Sequence, residues 1–351
     1  MDRGKQRRFP IISLFSGAGG LDLGFVQAGF DVRLAIDISP AAVKTYRRNH
    51  PGSCVKQLDL LQVTPGELLK LWDECSSEKP VGIVGGPPCQ AFSISNVHKR
   101  DNDPRGLLVD RYAEIISTFA HAKGTSFFVF ENVPGLLNAR HKARFEAFIQ
   151  TVKSAGFRVQ AKVIDAARFG LAQYRRRIIV VGLLERAGDG KFDIPEGDKQ
   201  PLTVRDVIGH LPEPWYYKPG LDPTRNPVHP NHWTQRPKSR KFSTGTLAPG
   251  TMHGRSFRVL RWDAPSWTVA YGHREVHVHP NGRRRLSVYE AMLLQGFPQD
   301  YVLEGSLSQQ ITLVSDAVPP PVGEAIARAL VRWLERSRAE SGTPTTARVV
   351  T

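Results

Sequence analysis

The chain has 351 residues, enough for one large core or two unequal domains, and its 40% hydrophobic and 9% aromatic content excludes wholesale disorder. Lysine and arginine number 48 against 33 acidic residues, and the resulting +15 favours a polyanionic partner, nucleic acid before membrane. No apolar run approaches a membrane span, no signal-peptide core follows the N-terminus, and three cysteines (Cys54, Cys75, Cys89) are too few and too irregularly spaced for a disulfide framework or a zinc site, so a cytosolic, nucleoid-associated protein without a metal is expected.

The first predicted strand, residues 9–15, runs into Ser16-Gly17-Ala18-Gly19-Gly20 and a helix over 21–28. Strand, glycine turn, helix lets a backbone approach a ligand at a helix N-terminus, although glycines also serve plain tight turns. A second strand, 31–36, ends in Asp37, about twenty residues on, where an acid typically takes the ribose hydroxyls of an adenosine-type cofactor. Ser39-Pro40 caps a helix over 41–49. Asp59, after the next short strand, faces the same pocket or caps a turn; local sequence leaves both open.

Residues 80–84 read as a buried strand stopped by Gly85-Gly86-Pro87-Pro88, which sets Cys89 on a stiff turn at its carboxyl end. Open α/β sheets place ligands there, so Cys89 is either an aimed nucleophile or a small packed thiol. A polar loop over 93–106, a helix over 107–121 and a strand over 126–130 follow, and the strand ends in Glu131-Asn132-Val133. A carboxylate closing an apolar strand is costly to bury without purpose, and marks a functional acid with an elevated pKa. A helix over 145–155 and strands over 157–165 and 178–182 complete the alternation, with Arg175, Arg176 and Arg177 crowded before the last strand, where they need an anion or carboxylate nearby.

From 186 to 280 the period is lost. Between Arg205 and Arg261 ten basic residues stand against three acidic ones, with Trp215, Tyr216, Tyr217, Trp233 and Trp262 among or beside them, the composition of a phosphate-gripping, base-contacting surface. His229, His232, His253, His273, His277 and His279 show no metal-binding spacing and read as structural or DNA-facing. Helices over 285–295 and 321–336 precede a polar tail.

Phe15-Ser-Gly-Ala-Gly-Gly20, Gly86-Pro-Pro-Cys-Gln90, Glu131-Asn-Val133, Gln173-Tyr-Arg-Arg-Arg177, Gln295-Gly-Phe-Pro298 and Ala317-Val-Pro-Pro-Pro-Val322 occur in that order. Together they resemble the DNA (cytosine-5)-methyltransferases of bacterial restriction–modification systems, from about residue 10 to 333. The resemblance implies an α/β fold, a Rossmann-like mostly parallel sheet with flanking helices, built from 1–185 and 305–338. It implies a smaller target-recognition domain and hinge over 186–304 and a flexible tail over 339–351. It also implies S-adenosylmethionine as cofactor, double-stranded DNA as partner, and a monomer acting either beside a cognate restriction endonuclease that it need not touch or as a solitary methylase.

By the same resemblance, Cys89 attacks carbon 6 of a flipped cytosine, Glu131 handles a proton at ring nitrogen 3, and Arg175 holds the base with support from Arg177 and Gln173. Residues 93–106 match a mobile catalytic loop. Phe15 stacks on adenine, Gly17 and Gly19 give backbone contacts, Asp37 takes the ribose, Asp59 the adenine amine, and Pro87 lines the pocket. The family usually has an acid where this chain has Ser13, and Gly-Asn where it has Ser315-Asp316; Asp316 is expected to supply the carboxylate that Ser13 lacks. A non-catalytic DNA-binding relative and an RNA-modifying enzyme are the alternatives, the basic aromatic region favouring DNA.

Overall fold

The computed structural model describes residues 9–88, 106–188, 190–254, 256–268 and 275–341. Its centre is a seven-stranded sheet of β1 (Phe9–Leu14), β2 (Phe30–Asp37), β3 (Cys54–Gln57), β4 (Gly82–Gly85), β5 (Phe127–Asn132), β6 (Phe157–Asp165) and β7 (Arg176–Leu184). The strand order is β3-β2-β1-β4-β5-β7-β6. Neighbours run parallel from β3 to β5, while β7 is antiparallel to both β5 and β6. β1, β4 and β5 are buried along their whole length, which accounts for their unbroken apolar sequence.

Helices α1 (Gly20–Gln27), α2 (Pro40–Asn49), α3 (Pro65–Cys75), α4 (Leu107–Lys123) and α5 (Ala139–Ser154) flank the sheet. Beyond β7 come α6 (Val204–Ile208), α7 (Val288–Leu294), α8 (Leu307–Asp316) and α9 (Pro320–Ser341). The region between β7 and α7 also holds the short strands β8 (Trp215–Tyr216), β9 (Trp233–Thr234), β10 (Met252–His253), β11 (Phe257–Val259) and β12 (His277–Val278). β8 pairs with β9, and β10, β11 and β12 form a separate three-stranded sheet.

α3 and α8 lie outside the elements expected from periodicity. Their signal is in the caps: Thr64 and Glu67 form a reciprocal capping box at α3, and Ser306 and Gln309 form one at α8. α5 begins at Ala139, well before residue 145, and α7 is shorter than the expected 285–295. The cysteines also depart from expectation. Cys54 at the start of β3 and Cys75 at the end of α3 form a disulfide, because a helix folding back beside its strand brings their Cα atoms to 5.9 Å. That proximity is tertiary and leaves no mark in the spacing of the cysteines.

α9 returns to the sheet and packs on α1, where Val322, Ile326, Leu330 and Trp333 share a core with Leu21 and Phe25. A second core joins Ala18 and Ala41 to Ile208, Trp233, Met292 and Phe297, so the irregular region is seated on the sheet side that carries the glycine turn. Strand order reverses between β1 and β4. At such a switch point the connections leave in opposite directions and open a crevice at the carboxyl ends of the strands. Among the described residues no helix is long and apolar enough to cross a membrane.

Candidate active site

That crevice is a cavity of about 450 Å³ lined by residues at and just beyond the carboxyl ends of β1, β2 and β4, by Glu131 near the end of β5, and by α8. Phe15 follows β1 with φ 56°, the only described non-glycine residue at positive φ. A bulky residue is held there only when its surroundings over-determine it, and such strain concentrates at ligand sites. Gly17 (φ 54°) and Gly19 (φ 75°) continue the turn, and a Cβ on Gly19 would stand 2.7 Å from the Tyr301 hydroxyl and 2.9 Å from His50 Nε2.

Asp37 closes β2 at the same mouth. Its Oδ2 accepts from Gly17 N and its Oδ1 from Ser39 N, both at 2.8 Å, while burial pushes its carboxyl above the usual range. Asp59 lines the cavity and its Oδ1 also accepts from Leu61 N at 2.9 Å, so the pocket and turn-capping readings hold together.

After β4, the turn at Gly86-Pro87-Pro88 is tied to β5, with Asn132 Nδ2 donating to Pro87 O at 3.0 Å. The turn runs close against β5 there, a Cβ on Gly86 standing 2.8 Å from Glu131 Oε2. Cys89 and residues 90–105 lie outside the described residues, as do His273 and residues 342–351. Glu131 itself is 7% exposed, and its Oε1 is 2.8 Å from Arg177 Nε. Burial raises its pKa, and the charges of Arg177 and Arg175 oppose the rise.

The two arginines are placed differently from the sequence-based expectation. Arg175, expected to hold the base, is 1% exposed and donates through one guanidinium nitrogen to Ser315 O and Ala317 O, both at 2.8 Å. Gln295 Nε2 reaches the same segment, donating to Val314 O at 2.9 Å and Ala317 O at 2.7 Å. Arg175 therefore braces the end of α8, and Arg177 is the arginine at Glu131. Arg177 lies in β7, whose neighbour β5 carries Glu131, whereas Arg175 stands before the strand begins and its side chain turns toward α8. Gln173 is fully buried and bridges through its backbone to Ser266.

Asp316 ends α8 as an exposed residue that lines the cavity; the surrounding protein raises its carboxyl and the Arg175 and Arg177 charges oppose the rise. Asp22, which sequence reasoning missed, stands in the same wall: Ser13 Oγ donates to its Oδ2 at 2.8 Å, with both side chains buried. Its only sequence signal is an acid among apolar residues in the first turn of α1.

A family model of C-5 cytosine-specific DNA methylases matches residues 9–332. The chain belongs to this family. It is 33% identical to the type II methyltransferase M.MthTI of Methanothermobacter thermautotrophicus over 93% of this chain and 98% of that protein. It is 30% identical to the type II methyltransferase M.NgoPII of Neisseria gonorrhoeae, over 93% and 96%. A solved structure described as a DNA modification methyltransferase encoded within an E. coli prophage superposes with a TM-score of 0.76 at 23% identity, over 93% of this chain and 99% of that one, and shares the fold.

The methylase's irregular region divides its polar groups between core and surface. Trp233, expected on a base-contacting surface, is buried and donates through Nε1 to Gln310 Oε1 at 2.8 Å, because its indole fills the core beneath α8. Tyr217, Lys218, Arg225, Arg236, Lys238, Arg240 and Lys241 are exposed. His232 is held between Ser287 Oγ and Pro212 O, His229 stacks on Tyr289, and His277 pairs with Glu275 Oε1 at 2.7 Å, so these histidines are structural. Buried Arg284 ties Glu290 to Glu213. Among the described residues no group of three or more His, Cys, Asp or Glu side chains is arranged to hold a metal ion.

Proposed function

We propose that this methylase transfers a methyl group from S-adenosylmethionine to carbon 5 of a cytosine flipped out of a specific duplex DNA site. The observation carrying this reading is the buried Glu131–Arg177 pair beside the Gly86–Pro87–Pro88 turn, directly before Cys89 in the chain and at the mouth of the cavity. The cavity suits the cofactor: an aromatic ring at Phe15, carboxylates at Asp37 and Asp59, and Pro87 and Glu131 in the same lining. When bound, the cofactor supplies an electrophilic methyl group.

Carbon 5 of cytosine is a poor nucleophile. The Cys89 thiolate adds to carbon 6, forming a carbon–sulfur bond, and the ring electron pair displaced by that addition makes carbon 5 enamine-like. Glu131 supports this step by sharing a proton with ring nitrogen 3, which keeps negative charge from building on the base. Arg177 orients the Glu131 carboxyl and keeps it from rising too far to exchange its proton. After methylation the carbon 5 proton leaves to a base, the ring electrons return, and the thiolate is eliminated. Flipping costs about a few kcal/mol.

Region 186–304 is the target-recognition domain and hinge in this reading, and 1–185 with 305–338 the catalytic domain. Its exposed basic residues grip phosphates, and the protein works as a monomer that modifies DNA beside a cognate restriction endonuclease. Incubation with S-adenosylmethionine and duplex DNA carrying 5-fluorocytosine is expected to trap a covalent complex, because fluorine cannot leave carbon 5 as a cation. Cys89→Ala should abolish the complex. A complex that survives in Cys89→Ala, or its absence in the wild type on DNA that the enzyme methylates, overturns the covalent route.

A further inference from the structure

Asp22 is the third residue of α1, 1% exposed, in the wall of the cavity. Its Oδ2 is held by Ser13 Oγ at 2.8 Å, while its buried Oδ1 has no partner within hydrogen-bond distance, the Tyr46 hydroxyl acting on the carboxyl from farther off. Tyr46, Tyr112 and Tyr301 surround it, and none of them is a cation. An orphaned carboxylate oxygen in a buried wall is costly unless a ligand satisfies it.

The other cavity carboxylates are provided for. Asp37 is capped by the Gly17 and Ser39 amides, Asp59 accepts from Leu61 N, and Glu131 pairs with Arg177. Asp316 lies in the field of Arg175 and Arg177. Asp22 has no basic partner among the described residues, so it is the acid best placed for a ligand cation. It also sits in the first turn of α1, whose leading N–H groups have no intrahelical acceptor. A carboxylate beside free amides is complementary to an amino-acid zwitterion.

We propose that Asp22 receives the α-ammonium at the methionyl end of S-adenosylmethionine, with Ser13 holding the carboxylate in position. This rests on the function proposed above. It also replaces the expectation that Asp316 compensates for Ser13: the acid absent from β1 is supplied from the facing helix.

The test uses calorimetric titration of the full chain with two adenosine ligands. S-Adenosylhomocysteine carries the ammonium but no sulfonium charge; 5′-methylthioadenosine lacks the amino-acid end. Asp22→Asn should weaken S-adenosylhomocysteine about tenfold and leave 5′-methylthioadenosine unchanged. Asp316→Asn should leave the ratio of the two affinities near the wild-type value. The double variant Ser13→Asp with Asp22→Ser returns the acid to the strand and should recover the preference that Asp22→Ser alone loses. Equal weakening of both ligands, no weakening of either, or a selective loss in Asp316→Asn instead overturns the assignment. If the wild type binds neither ligand, the cofactor reading itself fails along with it, an outcome distinct from loss of selectivity.

Discussion

Arg177 Nε stands 2.8 Å from Glu131 Oε1, and the pair joins antiparallel neighbours β7 and β5. Burial drives the Glu131 pKa up from its ordinary 4.5, and the guanidinium limits the rise. The balance leaves a carboxyl that holds a proton at higher pH than an exposed glutamate does, as sharing one with ring nitrogen 3 requires. Glu131→Gln should lower single-turnover methylation by roughly 10²- to 10⁴-fold with cofactor affinity unchanged. The wild-type rate should decline as pH rises past the elevated Glu131 pKa, and the Gln variant should lack that limb. An identical limb in both proteins would assign it to another group.

The two arginines of the motif should separate by assay. Arg175 satisfies the buried carbonyls of Ser315 and Ala317, and each carbonyl left bare costs about 1–3 kcal/mol. Arg175→Ala should therefore lower Tm by roughly 3–8 °C. Arg177→Ala should lose methylation by about 10²-fold or more, since Glu131 then loses its adjacent countercharge, and its stability loss should shrink at low pH, where the unpaired buried carboxyl is neutral. Thermal unfolding and single-turnover rates of both variants check this. Only rate lost with Arg175, its stability kept, would contradict the structural division.

Asp22 makes the cofactor-free protein pH-sensitive. Its pKa is raised from 3.8 to about 7, chiefly by burial, with the Ser13 and Tyr46 hydroxyls pulling the other way. The folded state thus holds a proton that the unfolded chain releases near 3.8. The resulting stabilisation is full below that value, shrinks as pH rises and is gone above about 7, a change on the order of a few kcal/mol. Asp22→Asn removes this term while Asp37, Glu131 and Asp316 still titrate in both proteins. The wild type should therefore lose Tm relative to Asp22→Asn between about pH 4 and pH 7. Parallel Tm curves would mean that Asp22 ionises freely.

Much of the site can be read from residue order alone, because each of its parts follows a strand. Phe15, Asp37, Gly86 and Glu131 stand at the carboxyl ends of β1, β2, β4 and β5, and a parallel sheet brings those ends together. What cannot be read is which way a side chain turns after its strand. Arg175 and Arg177 are two residues apart in one motif, yet one reaches α8 and the other β5. The partnership of Ser13 with Asp22 is hidden for a similar reason, since it depends on how α1 is rotated over β1. Trp233 looks like a surface aromatic in a basic stretch, and only the core beneath α8 shows why it is buried.

The rotation of α1 is itself fixed by close backbone contact, and that gives a test of opposite signs. A Cβ on Gly24 would collide with Glu324 N, Pro320 O and Gly323 C in the first turns of α9, and one on Gly20 would collide with Val318 O. Glycine on α1 thus lets the two helix backbones touch, and this approach aims Asp22 at the cavity. Gly66, in the first turn of α3, has nothing near the position of a Cβ and no positive φ. Replacing a helical glycine by alanine ordinarily stabilises by up to about 1 kcal/mol. That gain should appear for Gly66→Ala as a slightly raised Tm. For Gly24→Ala it should be overwhelmed by overpacking of roughly 1–3 kcal/mol or more, because backbone atoms cannot swing aside as a side-chain end can. Gly24→Ala should also weaken S-adenosylmethionine binding, since separating α1 from α9 turns Asp22 away from its place. A Gly24→Ala protein as stable as Gly66→Ala would show that α1 and α9 do not pack through their backbones.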